Sequence, residues 1–405
     1  MATASAKSLQ KVNKQISTAK GGFRSQVHLG VLIAWIGLLA FGTLVMWSAS
    51  FTNPNVSFSR HLLGIGIGVV LAVVVWNIDL SNLANISTIL LVADIIIIFL
   101  PYVPGLSYNA MGMTGWIRFP IIGLTFQPVE LAKVVTVFFM AAIGAQYHGK
   151  IDTVREYLKF CGMLAVPFVC IIIQGDLGSS LVVFFSGAIT IMMSGAKKEW
   201  VLSTIAIIIG LVSIILATDS IIDGLVGDSN SLIKQYQMNR LLVFLDPEAD
   251  TSRAGYNLLQ SMIAVGSGGF FGKGIGNATQ SSYGFLPESH TDFVFALLCE
   301  TFGFVGALVL LALFALLLFS VIRIAIKCDS LFYRLACVGF VGLWMFQIFE
   351  NIGMCIGLMP ITGIPLPFIS YGGTNLVVNM AGIGLVLNVT QYKTSLDLKV
   401  KQTAK

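Results

Sequence analysis

The chain has little charge and lacks the patterns of a soluble or secreted protein. Only 11% of its 405 residues are charged, whereas soluble domains average about 25%. Its six cysteines form no CxxC pair and no extracellular framework, which argues against a disulfide scaffold. The first 27 residues show neither the apolar core nor the cleavage site of a signal peptide. An ordinary soluble core is therefore excluded.

Long apolar runs fill the sequence instead, with 56% hydrophobic residues and a mean hydropathy of +0.87. Runs of about 20 residues are long enough to cross a bilayer, so we predict an all-α polytopic membrane protein. A basic tail at 1–27 and a tail at 393–405 are expected to flank one transmembrane domain at 28–392. The ten predicted transmembrane helices cover roughly 28–50, 60–77, 84–103, 129–146, 159–174, 179–196, 200–218, 292–322, 335–358 and 372–391.

The distribution of Lys and Arg predicts the orientation. Most of these cations fall on one side if both termini are cytoplasmic, as the positive-inside rule requires. The net charge of +5 is then a result of topology, and we expect no nucleic-acid partner. Two long segments remain on the outer face, 104–128 and the loop 219–291 between helices 7 and 8. Long polar loops in a compact membrane protein are usually functional.

The segment 286–295, Leu-Pro-Glu-Ser-His-Thr-Asp-Phe-Val-Phe, places Glu288, His290 and Asp292 at the mouth of the eighth span. A charge in a bilayer is costly unless it is paired or functional, so this cluster is a candidate reaction site. One interpretation is structural, because Ser289 to Asp292 matches a capping box. The other makes Asp292 a general base, kept ionised by the helix dipole and nearby cations. His290 is expected to support the site by hydrogen bonding.

Two further charged motifs stand at predicted outer helix ends. Glu130 and Lys133 lie three residues apart behind Pro128, at the start of the fourth span. They either neutralise each other or present a cation to a phosphate at the interface. Asp176, between the fifth and sixth spans, either caps the sixth helix or orients a cation or a sugar hydroxyl.

Other segments of unusual composition lie near these motifs. The apolar spacing within 258–265 predicts a short interfacial helix. The glycine-rich stretch 266–276 indicates hinge backbone or an anion cradle, without the spacing of a nucleotide-binding P-loop. Three prolines within 360–367 predict a packed non-helical segment between the last two spans. The acidic residues inside spans, each expected to be paired or functional, are Asp94, Glu300 and Glu350.

Taken together, the motifs resemble the SEDS family of bacterial membrane proteins (shape, elongation, division and sporulation), in particular its RodA branch. The similarity runs from about residue 28 to 392, with the motifs in order. The segments that carry it are 127–133, 174–178, 240–250, 255–261, 272–277, 284–293, 351–354 and 365–373.

The resemblance implies a ten-helix peptidoglycan glycosyltransferase of the bacterial cytoplasmic membrane. Such an enzyme polymerises lipid II into glycan strands at the outer face, here for cell elongation and shape. It implies that Asp292 is the essential acidic residue, and that a class B penicillin-binding protein is the transpeptidase partner. A division or sporulation paralogue stays open.

The chain departs from the family pattern around Trp116. Gly115 stands where a basic residue usually precedes this tryptophan, and the stretch that follows is longer than usual. Arg118, two residues after the tryptophan, is the candidate replacement. Val129 and Gly175 replace a usual serine and proline, which leaves the charged residues of both motifs in place.

Glycan extension joins a sugar 4-hydroxyl to an anomeric carbon that releases a lipid pyrophosphate. We assign Asp292 as the base that takes the hydroxyl proton. No metal ligand set is evident and no cofactor is required by the motifs; a divalent cation, Mg²⁺ or Mn²⁺, at the pyrophosphate stays open. The residues assigned to binding the pyrophosphate and sugars are Lys133, Glu130, Arg240, Arg118, Asp176, Glu288 and His290.

Two other functions stay open. A lipid II flippase would use the buried acids as a proton or substrate path and should show matched polar features on both faces. A non-catalytic scaffold for the penicillin-binding protein would have no need of Asp292.

Overall fold

The computed structural model describes residues 28–54, 56–110, 113–118, 125–207, 210 and 254–391. In chain order the helices are α1 (Leu29–Thr52), α2 (Phe58–Asn77), α3 (Ser87–Phe99), α4 (Pro128–Gln146), α5 (Val154–Gln174), α6 (Leu177–Met193), α7 (described over 198–207), α8 (Ala254–Ser267), α9 (Thr279–Ser282), α10 (Val294–Lys327), α11 (Leu331–Cys355) and α12 (Gly373–Gln391). Seven of these described helices are long and apolar enough to cross a membrane: α1, α2, α4, α5, α10, α11 and α12.

The predicted helical membrane architecture is confirmed. The shorter apolar helices α3 and α6 occupy two more of the predicted spans, and α7 begins two residues before the predicted seventh span. The count of ten spans and the N-in/C-in orientation stay predictions. A helix is present as α8 where a short one was expected around 258–265, and its position at the membrane interface stays a prediction.

The all-α prediction is wrong for one outer segment. Residues 104–126, predicted as loop, contain three short antiparallel strands, β1 (Ser107–Ala110), β2 (Met113–Arg118) and β3 (Thr125–Phe126). Strands this short leave little periodicity to detect in a sequence, which is why the helical pattern of the spans gave no sign of them. The sheet leads directly into α4.

Local chemistry sets the helix ends at the end of the bundle next to the sheet. Pro128 occupies the first turn of α4, where its missing N–H costs nothing. The α5 helix ends at Gly175, whose φ of +90° suits glycine. The carboxylate of Asp176 then caps α6 by accepting the backbone N–H of Ser179 at 2.8 Å. The capping interpretation of Asp176 is therefore confirmed.

The core of the bundle lies among α4, α11 and α12. In the most apolar stretch of each helix, 83% of the residues of α12 are buried, but only 22% of those of α2 and 28% of those of α5. The outer helices pack on this centre or on each other: α2 contacts α12, α3 contacts α4, α1 contacts α10, and α5 contacts α6. The motifs at the ends of α4, α11 and α12 are therefore held by the most enclosed helices.

The α10 helix is broken at Gly303, which has φ +66° and ψ −163°. A break inside a membrane helix frees backbone groups that must find other partners. Here the glycine-rich segment supplies them. The N–H groups of Lys273 and Gly274 donate to the carbonyls of residues 300 and 301, at 2.9 and 3.0 Å. In the opposite direction, the N–H groups of residues 304 and 305 donate to the carbonyls of residues 269 and 270, at 2.9 and 3.1 Å.

Two glycines of this segment, Gly268 and Gly272, are required for close approach to α10. The hinge and the anion cradle suggested by the sequence stay predictions. A Cβ at Gly268 or Gly272 would overlap the backbone of residues 299 or 301, and one at Gly303 would overlap Gly272. Glu300, fully buried beside the break, accepts a salt bridge from Lys273 at 2.5 Å. The first turns of α10 are thus fixed to the outer segment by backbone pairing and by one ion pair.

Candidate active site

Asp292 lies in the turn that precedes α10, and it is half-buried. The carbonyl of Glu288 accepts the N–H groups of Thr291 and Phe293 at 3.2 and 3.1 Å, which closes the turn. The helix starts at Val294 with Phe293 as its N-cap residue, and the side chain of Phe293 makes no capping hydrogen bond. Because the N-cap is residue 293 and not Ser289, the capping box predicted for Ser289 to Asp292 is wrong.

Asn351 fixes the backbone of Asp292 from α11. Its amide nitrogen donates to the carbonyl of Asp292 at 2.7 Å and to the carbonyl of Ile364 at 2.8 Å. Asn351 is fully buried, where an amide held by two hydrogen bonds has little freedom to move. One side chain thus joins the turn before α10 to the proline-rich segment between α11 and α12.

The carboxylate of Asp292 lies against the bare backbone of Gly363. A Cβ at residue 363 would stand 3.1 Å from the Oδ2 atom of Asp292, and the φ of Gly363 is +77°. Next to this glycine, Thr362 donates a hydrogen bond to the buried carboxylate of Glu350. A Cβ at Gly178 would lie 2.9 Å from Ile364. The start of α6, the proline-rich segment and the turn before α10 therefore meet around Asp292.

We predict that Gly363→Ala weakens the site. The added methyl group would force a left-handed alanine, at about 1–2 kcal/mol, and would push the carboxylate of Asp292 by a few tenths of an ångström. Small displacements of a reacting group cost rate, so glycan synthesis should fall roughly tenfold. The matched control is Gly372→Ala in the same segment, where a Cβ meets nothing within 4 Å. Equal rates for the two variants would contradict this role.

His290 supports the turn through hydrogen bonds, as the sequence predicted. Its Nδ1 atom lies 3.3 Å from the amide nitrogen of Asn53, and its carbonyl accepts the N–H of Tyr371 at 2.8 Å. The Tyr371 ring packs between the rings of His290 and His61, and its hydroxyl accepts the N–H of Ser57 at 3.3 Å. The turn between α1 and α2 is thus part of the same structure as Asp292.

Burial lowers the pKa of His290 below its usual value of 6.5, and the charge of Glu288 partly opposes this shift. Just below pH 6.5 the unfolded chain therefore binds more protons than the folded chain does. The contribution of His290 to the free energy of unfolding is thus fully present above pH 6.5 and decreases as the pH falls below it. We expect the unfolding temperature of the protein to decrease from about pH 7 to pH 5.5. The decrease should be smaller in His290→Gln; an equal decrease would exclude His290 as its source.

Glu130 and Lys133 form a buried ion pair at the start of α4. Their Oε1 and Nζ atoms are 2.7 Å apart, with side chains 3% and 2% exposed. The second carboxylate oxygen of Glu130 accepts the amide of Asn375 at 2.9 Å. The predicted pairing of the two residues is confirmed, while a contact of Lys133 with phosphate stays a prediction.

The same end of the bundle carries a second set of polar contacts. The N–H of Gln127 donates to the hydroxyl of Thr374 at 3.2 Å, and its side-chain amide lies 3.5 Å from Asp176. The starts of α4, α6 and α12 are therefore adjacent. Since the start of α6 also contacts the segment beside Asp292, the charged motifs predicted from sequence converge on one face of the molecule.

Not every predicted site residue joins this convergence. Arg118 is exposed at the end of β2, with its guanidinium 5.4 Å from the ring centroid of Tyr108. Glu288 is half-buried and accepts the hydroxyl of Thr291 at 2.8 Å. Arg240 lies outside the described residues. Within the described ranges, no three of His, Cys, Asp and Glu come together as a metal-binding group.

Several residues that shape the site were not singled out as such from the sequence. Asn351 stands in a family motif and Gly363 in a proline-rich segment, but neither pattern indicates a contact with Asp292. Asn375 lies in an ordinary apolar span. The signal that could have found them is a buried polar residue on an apolar helix face, since such a residue needs a partner.

The buried acids inside spans all have partners. Asp94 accepts the hydroxyl of Thr136 at 2.6 Å, Glu300 pairs with Lys273, and Glu350 bonds to Thr362. The sequence predicted that each of these acids is either paired or functional, and each of them is paired.

Comparison with known proteins gives a consistent family. Residues 24–395 match the model of the FtsW/RodA/SpoVE cell cycle proteins. The chain is 34% identical over 388 residues to the peptidoglycan glycosyltransferase MrdB of Escherichia coli K12, covering 94% of this chain and 98% of that protein. It is 31% identical to the stage V sporulation protein E of Bacillus subtilis, covering 91% and 98%.

Solved structures agree with this result. A chain of a peptidoglycan synthase complex that coordinates polymerization and crosslinking superposes with a TM-score of 0.73, at 28% identity, covering 91% of this chain and 98% of that chain. The rod shape determining protein RodA of Thermus thermophilus superposes with a TM-score of 0.63, at 27% identity, covering 89% and 95%. The fold seen here is therefore that of these membrane proteins.

Proposed function

The chain belongs to the FtsW/RodA/SpoVE family, the SEDS proteins, and we propose that it is a peptidoglycan glycosyltransferase that polymerises lipid II for cell elongation. It is a multi-pass protein of the bacterial cytoplasmic membrane. The observation that carries the proposal is the placement of Asp292. This half-buried carboxylate stands at the end of the bundle where the starts of α4, α6 and α12 also meet.

In the proposed reaction, the 4-hydroxyl oxygen of the acceptor sugar attacks the anomeric carbon of the donor. The bond from that carbon to the pyrophosphate oxygen breaks, and the lipid pyrophosphate leaves with the electron pair. Asp292 takes the hydroxyl proton. The hydrogen bond from Asn351 and the close approach of Gly363 hold this carboxylate in one place, which favours catalysis by position.

The leaving pyrophosphate needs cations. Arg118 stands apart from the convergence around Asp292, but it is exposed and pairs with Thr125 in the sheet that leads into α4. It is therefore proposed to reach the pyrophosphate from that side, and Arg240 is proposed to assist it. Lys133 already neutralises Glu130, so it can serve the pyrophosphate only when a phosphate oxygen joins or replaces that carboxylate. Asp176, Glu288 and His290 are proposed to contact sugar hydroxyls or to shape the pocket around them.

We propose one ten-helix domain at 28–392 with both termini in the cytoplasm, between basic tails at 1–27 and 393–405. A class B penicillin-binding protein is the proposed partner. The solved complex that this chain resembles coordinates polymerization with crosslinking, which is the division of labour that such a pair would have. The lipid chains of both substrates are proposed to lie in the membrane beside α4 and α10.

The test is glycan synthesis by detergent-purified protein. Lipid II is supplied to the protein alone and with a class B penicillin-binding protein whose transpeptidase serine is replaced, and long glycan chains are scored on gels. Polymer that depends on this chain supports the proposal. A protein that transfers lipid II between the leaflets of vesicles without making polymer would favour the flippase instead.

A further inference from the structure

A cavity of about 400 Å³ lies among α5, α6 and α7, and Asp292 is not part of its lining. That lining is almost entirely apolar, and it includes Leu158, Cys161, Ala165 and Ala188. The volume falls within the range of about 300–1,000 Å³ that is typical of small-molecule sites. The site already described uses none of these residues.

The cavity is open to the lipid-facing side of the bundle. Leu158 is 60% exposed and Ile205 is 41% exposed, although both line the cavity. In a protein that spans a membrane, such a surface contacts acyl chains. A hydrocarbon chain can therefore enter sideways from the bilayer without first crossing water.

Exposed cations lie in the stretches that begin α5 and α7, next to the lining residues Tyr157, Leu158 and Val201, and these stretches form one rim of the cavity. Lys150, Arg155 and Lys159 lie at the start of α5, and Lys197 and Lys198 lie at the start of α7. The carboxylates in these stretches are fewer: Asp152, Glu156 and Glu199. Glu156 is already engaged by the backbone N–H groups of residues 152 and 153, at 3.2 Å each. The rim is therefore net positive.

The charged rim and the apolar cavity share one wall. The ammonium of Lys197 lies 4.9 Å from the ring centroid of Trp200, whose ring packs on Tyr157 at 5.6 Å. The Tyr157 hydroxyl lies 2.8 Å from that of Thr204 and donates to the carbonyl of Trp200 at 3.2 Å. Tyr157 and Thr204 both line the cavity. A ligand in the cavity would thus have its polar end at Lys197.

We propose that this cavity binds an anionic glycerophospholipid. One acyl chain fills the cavity, and the phosphate lies among Lys159, Lys197 and Lys198. Basic pockets between transmembrane helices on the cytoplasmic side favour anionic head groups over neutral ones. The α5 helix runs about 30 Å from this rim to the turn before Asp176, so the site is separate from the one proposed for glycan synthesis.

Photo-crosslinking tests this proposal. The purified full-length protein is placed in nanodiscs of phosphatidylcholine that carry a trace of either phosphatidylglycerol or phosphatidylcholine with a photoreactive acyl chain. Labelled peptides are then mapped by mass spectrometry. We expect phosphatidylglycerol to label residues 157–168 and 184–191 several-fold more strongly than phosphatidylcholine does. Equal labelling by the two lipids, or labelling mainly elsewhere, would overturn the proposal.

Two sets of variants separate charge from shape. The triple change Lys159→Gln, Lys197→Gln, Lys198→Gln should reduce phosphatidylglycerol labelling to the phosphatidylcholine level. Its control, Arg323→Gln, Lys327→Gln, Lys399→Gln, removes the same charge from cations that are not part of the rim and should keep most of the labelling. Ala188→Phe fills the cavity and should move the label of both lipids away. Retained polymerase activity in each variant reports that it is folded.

A competition experiment identifies the source of the lipid. Excess unlabelled phosphatidylglycerol should suppress the label, whereas undecaprenyl phosphate at the same concentration should not. If the polyprenyl lipid displaces the probe equally well, the cavity belongs to the substrate and the assignment to a glycerophospholipid is wrong.

Discussion

Asp292→Asn should reduce glycan synthesis from lipid II at least about a hundredfold, since a positioned base contributes about 10²–10⁴ in rate. The amide keeps the shape of the side chain but cannot take the proton of the acceptor hydroxyl. The backbone contact from Asn351 uses the carbonyl of Asp292, so it survives the substitution. The measurement is the initial rate of polymer formation at saturating lipid II.

Two controls make this result specific. Asp329→Asn, in the turn between α10 and α11 at the other end of α10, removes the same charge and should polymerise at the parental rate. The unfolding temperature of Asp292→Asn should stay close to that of the parent. If Asp292→Asn makes polymer at a near-normal rate, Asp292 is not the base.

Lys133→Met should have the largest effect on stability. It removes one partner of an ion pair that is 2.7 Å long and almost fully buried, and it leaves the carboxylate of Glu130 uncompensated. Loss of one partner of a buried pair costs about 3–5 kcal/mol. We expect a marked fall in the unfolding temperature and in the yield of monodisperse protein, measured in the same detergent as the parent.

The double variant Glu130→Gln, Lys133→Met separates structure from chemistry. Replacement of both charges removes the uncompensated carboxylate, and the amide oxygen introduced at position 130 can still accept the hydrogen bond from Asn375, so folding should recover. Glycan synthesis should stay low if Lys133 meets the pyrophosphate. Recovery of both stability and activity would limit the pair to a structural role.

Much of the fold follows from the sequence because membrane helices leave a strong signal. A run of about twenty apolar residues is sufficient to place α1 or α10, and packing hardly changes that result. The short strands around Trp116 lack any such signal. The break at Gly303 is hidden as well, because the run from residue 302 to residue 319 contains only apolar residues and glycine, and its glycines resemble those of ordinary membrane helices.

The charged residues of the site could be predicted from the sequence, but the residues that position them could not. Charged residues in an apolar sequence stand out, so Asp292, Glu130 and Lys133 could be found directly. Asn351 and Gly363 act through their contacts with Asp292, and those contacts exist only once the segment between α11 and α12 folds back. A motif shows that such residues belong together, but their geometry comes from the packed chain.

The pairing of residues 268–274 with α10 decides where the outer surface can be labelled. Any side chain added at Gly268 or Gly272 meets main-chain atoms that cannot move aside, so a reporter cysteine or an epitope tag there would unfold the neighbourhood of Glu300. Gly284 has open space around its Cα position, and Tyr283 beside it is 72% exposed. A fluorophore attached at Tyr283 would lie about ten residues from Asp292 in the chain and would report the binding of a partner there. It would leave the pairing between residues 268–274 and α10 undisturbed.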